Sequence, residues 1–181
     1  MNNPRRKQAA KTAVIKRIII YGITFFILGV AQCSFFNELS FLSATPNIIL
    51  GAVAAVSLLD SQKAAAICGI ASGFMIDALG GTGISISPIA LLCVALLCSE
   101  ISKKILPTFI SWALLLIPAS LLGAVFTVAN VFLLIGKFHV SDILKTALLP
   151  ELVLTVIFSL PLFFIIKLCV RLADAKNKFK I

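Results

Sequence analysis

The sequence predicts an all-α, polytopic integral membrane protein with six transmembrane helices and both termini in the cytoplasm. Of its 181 residues, 60% are hydrophobic and only 13% are charged. Soluble domains are closer to half apolar and a quarter charged, so this composition indicates lipid as the solvent. The chain also contains uncharged apolar stretches of about 20 residues, the length that a helix needs to cross a hydrocarbon core of about 30 Å. These stretches take up most of the chain and leave no room for a soluble catalytic domain.

Breaks between the apolar stretches set the bounds of the predicted helices. The first uncharged stretch, residues 18–36, ends at Asn37 and Glu38, and the second ends before the polar loop that begins at Asp60. A glycine-rich turn at residues 80–83 separates the third helix from the fourth. The predicted helices cover residues 18–36, 39–59, 64–79, 84–99, 109–135 and 148–169.

The fifth helix needs its own argument because residues 105–136 carry no charge. As one helix, these residues would extend about 48 Å, which exceeds the thickness of the hydrocarbon core. They are nevertheless too few for two complete spans and a turn. One helix over residues 109–135, tilted or bent at Pro118, satisfies both limits.

The distribution of basic residues sets the orientation. Six Lys or Arg residues and no acid lie in residues 1–17, and five more lie from Lys167 onwards. With six helices, both groups are on one side of the membrane, together with three lysines in the loops after the second and fourth helices. The positive-inside rule makes that side cytoplasmic. The predicted organisation is a basic arm at 1–17, a transmembrane domain at 18–170 and a basic tail at 171–181.

Asp77 requires an explanation because an ionisable side chain inside a bilayer costs about 2.5–3.5 kcal/mol on insertion scales. Gly69, Gly73 and Asp77 follow one another at intervals of four and share one helical face. Small residues at this spacing allow another helix to come close, so we expect Asp77 to point into the same contact. The carboxylate is predicted to bond the turn at residues 80–83, or a nearby polar side chain, and so to fix that turn. The alternative is a proton or ion relay, or a substrate contact.

The remaining polar residues do not predict catalysis. No nucleophile–base pattern is present, so we expect no enzymatic activity and no cofactor. Five cysteines lie in apolar stretches without a Cys-x-x-Cys motif and are expected to pack as small apolar residues. Glu100 is expected to form a solvated pair with the lysines that follow it. The net charge of +9 lies in the arm, loops and tail, which is typical of contacts with lipid headgroups and not of nucleic-acid binding.

The segment from Pro46 to Leu97 resembles the rod shape-determining protein family MreD. That family typically has a proline followed by Asp or Asn at the start of the second helix. Glycines in the third helix, an aspartate near its end and a glycine-rich turn follow. The matching residues in this chain are Pro46, Asn47, Gly69, Gly73, Asp77, Gly80 or Gly81, and Gly83. The match covers about 50 residues, and the rest of the chain matches in hydropathy, length and its basic N-terminus.

The resemblance implies a non-enzymatic membrane subunit of the bacterial cell-elongation machinery. Such a subunit would lie in the plasma membrane beside an MreC-like single-span protein. MreB filaments, RodA and a penicillin-binding transpeptidase would be nearby. Its role would be to maintain rod shape by helping to organise lateral peptidoglycan synthesis.

Substrate-binding subunits of energy-coupling-factor vitamin transporters are the alternative interpretation. They are also basic six-helix proteins of similar length, and they bind a vitamin in a pocket near the outer face. The first helix here lacks the Ala-x-x-x-Ala face expected for docking to a transmembrane partner. The chain also has only one Trp and one Tyr with which to hold a polar vitamin. The MreD interpretation is therefore preferred.

Overall fold

The computed structural model describes residues 4–36, 46–80, 86–135 and 149–174. Within these residues the chain forms six α-helices and a π-helical segment, and no strand occurs among them. The helices are α1 (Pro4–Ala31), α2 (Ile48–Leu59), α3 (Gln62–Gly80), α4 (Ser87–Ser102), α5 (Phe109–Ile135) and α6 (Leu149–Asp174). The π-helical segment, Gln32–Phe36, directly follows α1. The prediction of an all-α chain is confirmed for the described residues.

The helices follow the predicted order, but two of them begin at unexpected positions. α1 begins at Pro4, inside the predicted basic arm, where a proline fits because the first turn of a helix does not use its N–H groups. α2 begins at Ile48 and not at residue 39. Residues 37–45 lie outside the described part of the chain.

Four helices are long and apolar enough to cross a membrane, over the segments Val14–Ser34, Gln62–Gly80, Phe109–Ala129 and Val153–Ala173. α2 and α4 are also apolar but have only 12 and 16 residues. At 1.5 Å per residue they extend about 18 and 24 Å, less than a hydrocarbon core of about 30 Å. The helices thus have the character of a membrane protein, with two of the six shorter than a complete crossing.

α2 lies at the centre of the bundle. All its residues from Ile48 to Leu58 are buried, and it packs against each of the other α-helices. A helix that is apolar on every side needs such an enclosed position. The largest buried side chains around it come from α5 and α6, namely Trp112, Leu115, Leu116, Phe163 and Ile166.

Gly51 is the point where α2, α5 and α6 meet. The indole Nε1 of Trp112 donates a hydrogen bond to the Gly51 carbonyl oxygen at 3.3 Å, and the Trp112 ring lies 5.3 Å from the ring of Phe163. A Cβ atom at Gly51 would collide with the side chain of Ser159 on α6. The lack of a side chain at this position therefore allows α6 to approach α2.

The outward faces of the helices are strongly apolar. Large exposed side chains follow one face of α1 and one face of α5, namely Ile19, Ile23, Phe26, Ile27, Ile110, Leu114, Ile117 and Leu121. Continuous apolar surfaces of this extent are rare on proteins that face water. They are the expected surface of a helical bundle that faces lipid.

Candidate functional site

The start of α2 is held by a group of side chains from three segments, which we call the α2 head (Gln32, Pro46, Asn47 and Thr155). The Gln32 amide nitrogen donates to the Pro46 carbonyl oxygen at 2.8 Å, and its oxygen accepts from the backbone N–H of Ile48 at 2.8 Å. Thr155 Oγ1 on α6 accepts from the backbone N–H of Asn47 at 2.9 Å. The first N–H groups of a helix have no partner within it, so these side chains supply what the helix lacks.

Asn47 caps the same helix with its own side chain. Its Oδ1 accepts from the backbone N–H of Leu50 at 3.1 Å, the geometry of a helix N-cap. Pro46 precedes the cap and is fully buried. The sequence placed Pro46 and Asn47 at a helix start, and the structure agrees, with Asn47 as the cap and Pro46 two residues before the first helical residue, Ile48.

Gly69 and Gly73 form the close contact between α3 and α4. A Cβ atom at Gly69 would lie 2.8 Å from the carbonyl oxygen of Leu91, and one at Gly73 would collide with the backbone of Pro88. Backbone atoms cannot rotate away as a side chain can, so both positions require glycine at this separation. The close helix approach expected from the spacing of the two glycines is present.

Asp77 continues this face one turn further along α3, and it is half-buried. Its Oδ2 atom is buried and has no hydrogen-bond partner within the described residues. The expected bond from the carboxylate to the turn stays a prediction, because residues 81–83 of that turn lie outside the described part of the chain. α3 ends at Gly80, where the predicted turn begins. Gly81 and Gly83, the other predicted turn residues, lie outside the described part of the chain.

A cleft of about 110 Å³ opens between α2, α3, α4 and α5. It begins beside the α2 head, since Asn47 is one of its lining residues. None of the described residues that line it is charged. The lining residues are Asn47, Leu50, Ile76, Ile86, Ser87, Ala90, Leu91, Val94, Gly123, Phe126 and Thr127.

At the opposite end of α2, Asp60 joins α1 to α2. Its carboxylate lies 3.1 Å from the Arg17 guanidinium and accepts a 2.5 Å hydrogen bond from the Tyr21 hydroxyl. The Asp60 side chain is only 5% exposed, whereas that of Arg17 is 32% exposed. Sequence reasoning assigned Asp60 to a loop and missed this pair. One signal was available in the sequence. Arg17 and Tyr21 are four residues apart and so share a helical face, and the predicted topology puts this end of α1 on the same side of the membrane as Asp60.

This end of α2 is also held by α4. The Ser102 hydroxyl shares its hydrogen between the carbonyl oxygens of Ser99, at 2.8 Å in its own helix, and of Ser57, at 3.0 Å. The Ser57 hydroxyl is likewise shared between the carbonyl oxygens of Val53, at 2.9 Å, and of Ala95, at 3.2 Å. The bond from Ser102 to Ser57 satisfies a carbonyl in the last turn of α2, where the helix itself offers no donor. Both ends of the short central helix are thus completed by side chains from its neighbours.

Two minor expectations about polar side chains can be compared directly with the structure. Glu100 and Lys103 form an exposed ion pair, as expected for the end of the fourth helix. All five cysteines are free thiols; Cys68, Cys98 and Cys169 are buried, and the other two are half-buried. Within the described residues, no group of three or more His, Cys, Asp or Glu side chains could hold a metal ion.

No family model matches the chain, and neither the curated proteins nor the solved structures contain a match. The function must therefore be inferred from geometry and from the sequence resemblance described above. The polar side chains of the α2 head satisfy helix ends, and the glycines of α3 allow close packing. This chemistry is suited to holding helices together, while the cleft is suited to binding a largely apolar group.

Proposed function

We propose that this chain is a non-enzymatic membrane subunit of the bacterial cell-elongation complex, and that it maintains rod shape by helping to organise lateral peptidoglycan synthesis. The proposal rests on what the residues that match the MreD family do in this structure. Pro46 and Asn47 build the start of the central helix, and Gly69 and Gly73 build the α3–α4 contact. Residues with these roles support a protein that acts by presenting a rigid helical surface.

The proposed location is the plasma membrane, with six spans and both termini in the cytoplasm. The positions of the loops support this arrangement. The Gln62 amide at the start of α3 donates to Glu100 at the end of α4 at 3.2 Å, so the loops that carry Lys63, Lys103 and Lys104 share one end of the bundle. That end is the cytoplasmic one under the positive-inside rule. α2 and α4 would cross as short helices, with the α2 head buried in protein at the opposite end.

The proposed partners are an MreC-like single-span protein, MreB filaments, RodA and a penicillin-binding transpeptidase. The exposed apolar faces of α1 and α5 are available to a transmembrane helix or to lipid. The MreD resemblance is the reason for naming these partners. The exposed apolar faces support contact with a partner through its transmembrane helix.

Affinity purification in mild detergent from the native cells tests this proposal. The tagged full-length chain is expected to copurify with a single-span MreC-like protein and wall-synthesis enzymes. The Gly73→Leu variant, whose side chain would collide with α4, should lose these proteins, whereas the Leu79→Val variant should retain them. Equal recovery from both variants would contradict a requirement for the intact α3–α4 contact.

The substrate-binding subunit of an energy-coupling-factor vitamin transporter is the second candidate. The cleft favours it, because such subunits bind their ligand within the helical bundle, although at about 110 Å³ the cleft would enclose only part of a vitamin. The same purification separates the two functions. Copurification of paired ATPases with a large transmembrane coupling protein would replace the elongation proposal with the transport one.

A further inference from the structure

The cleft changes in character along its length. Asn47 and Ser87, at the starts of α2 and α4, lie at one end of it, and Val94 lies two helical turns further along α4. Seven residues of helix correspond to about 10 Å. Leu50, Leu91 and Val94 make the deeper part apolar. The cleft therefore has a polar end near the helix starts and an apolar end towards the middle of the bundle.

The polar end offers hydrogen-bond donors without charge. The Asn47 oxygen is occupied by the Leu50 N–H, while its amide nitrogen donates to no described residue. The Ser87 hydroxyl also lacks an acceptor within the described residues, whereas the Thr127 hydroxyl donates to its own helix at Gly123. A ligand that complements this end carries a neutral or weakly polar acceptor, such as an ester carbonyl. A carboxylate or phosphate would meet no cation among the described lining residues.

The volume limits what can occupy the apolar end. A cavity of about 150 Å³ lined by apolar side chains holds a molecule the size of benzene. At about 110 Å³, this cleft holds the equivalent of roughly four carbon atoms, which is too few for a complete vitamin. It suits one segment of a longer chain whose remainder lies outside the cleft.

We propose that the cleft binds one acyl chain of a membrane glycerolipid, with the ester carbonyl at Asn47 and Ser87 and the first methylenes against Leu50, Leu91 and Val94. The orientation of the cleft agrees with that of a lipid in the leaflet at the Asn47 end of the bundle. In such a lipid the ester lies near the surface and the chain extends towards the midplane. This site does not depend on the rod-complex role, so either proposal can fail alone.

Photo-crosslinking in vesicles tests the site. The full-length protein is reconstituted into phosphatidylcholine vesicles that contain a phosphatidylcholine with a diazirine on the acyl chain close to the carbonyl. After illumination, peptide mass spectrometry locates the adducts. We expect adducts on α4 and α5 at cleft residues such as Ala90 and Phe126, in addition to those on the outward face of α1 at Ile27 and Val30, which lie nearer the α2 head.

Two substitutions of the same type separate cleft binding from general lipid contact. Ala90→Leu places three extra carbons in the cleft, and Ala71→Leu places them on an exposed face of α3. The yield of cleft adducts should fall at least about fivefold in Ala90→Leu, which corresponds to a loss of roughly 1 kcal/mol in affinity, and stay unchanged in Ala71→Leu. The α1 adducts should be equal in both variants and serve as the internal standard.

Ser87→Ala keeps the test valid if Ala90→Leu fails to fold, because it adds no bulk. It should reduce the cleft adducts about two- to threefold by removing one donor to the ester. Cleft adducts that persist at full yield in both Ala90→Leu and Ser87→Ala would overturn the proposal. The absence of cleft adducts in the unmodified protein, with α1 adducts present, would overturn it as well.

Discussion

Gly73 illustrates how a single methyl group can decide whether two helices pack. In a Gly73→Ala variant, the new Cβ would meet the backbone of Pro88, so α3 and α4 must move apart. We expect the free energy of unfolding to fall by about 1–3 kcal/mol, the usual cost of overpacking. Gly22→Ala is the matched control, because nothing lies within 4 Å of the position of its Cβ. Thermal unfolding in detergent should show a lower midpoint for Gly73→Ala only, and equal midpoints would contradict the tight α3–α4 contact.

Asp77 leads to the opposite expectation. Its buried Oδ2 has no described hydrogen bond to lose, so Asp77→Asn should keep the fold and change the free energy of unfolding by less than about 1 kcal/mol. Asp60→Asn is the matched control and should lower the free energy of unfolding more, because the Asp60 carboxylate holds both Arg17 and Tyr21. Chemical denaturation of the two variants checks the difference. A larger loss for Asp77→Asn than for Asp60→Asn would mean that the Asp77 charge is structurally required.

Sequence pattern predicts some of these residue-scale roles and misses others. The glycines at positions 69 and 73 were predictable because both lie in one helix, where spacing alone sets the face. Thr155 was not predictable as a partner of Asn47, since 108 residues separate them and no local pattern links them. The Arg17–Asp60 pair depends in the same way on how α1 and α2 are placed relative to each other.

At the scale of single helices, α2 depends on hydrogen bonds that other segments provide. Gln32→Leu removes two of them, leaving the Pro46 carbonyl and the Ile48 N–H without these partners. Each unsatisfied buried group costs about 1–3 kcal/mol, so we expect a loss of about 2–4 kcal/mol in the free energy of unfolding. Gln62→Leu removes an exposed amide at the start of α3 and should change this energy by no more than about 0.5 kcal/mol. Denaturant titration in detergent compares the two, and a similar loss in both would argue against a special role for the α2 head.

The opposite end of α2 provides a second test at this scale. Asp60→Ala leaves the Arg17 guanidinium without this carboxylate and the Tyr21 hydroxyl without its acceptor. Breaking a fully buried pair costs about 3–5 kcal/mol, and we expect about 2–3 kcal/mol here because Arg17 is partly exposed. Glu100→Ala removes an exposed pair and should leave the unfolding midpoint unchanged. Thermal unfolding of both variants measures the difference. Equal midpoints would contradict a stabilising role for the Asp60 contacts.

For the whole molecule, composition and charge were sufficient to predict an all-helical bundle and the order of its helices. The start of α2 at Ile48 was not predictable, because hydropathy alone does not mark the residue at which a helix begins. Its start is fixed by the cap at Asn47 and by partners from α1 and α6, which depend on the three-dimensional arrangement. The cleft escaped prediction for the same reason, since its lining comes from four helices.

The proposed orientation makes a prediction for the molecule as a whole. Single cysteines replace Lys63, Lys103 and Gly80, all exposed, in a variant whose native cysteines are alanine. A membrane-impermeant maleimide should label Gly80→Cys in intact spheroplasts, and should label Lys63→Cys and Lys103→Cys only in inverted vesicles. The reverse pattern would place the basic end outside. Labelling of Lys63→Cys and Lys103→Cys from different sides would rule out a hairpin in which α3 and α4 both cross the membrane.

The hydrogen bond from the Asn47 N–H to Thr155 has a consequence for biogenesis. The ribosome must add 108 residues after Asn47 before its partner exists, which takes about 5–20 s at ordinary translation rates. During this time the head of α2 is incomplete, and a 12-residue helix is too short to be held by the bilayer alone. Nascent chains that end before α6 should therefore be sensitive to membrane proteases. Insertion of α6 should supply the missing hydrogen-bond partner of Asn47 and so stabilise α2.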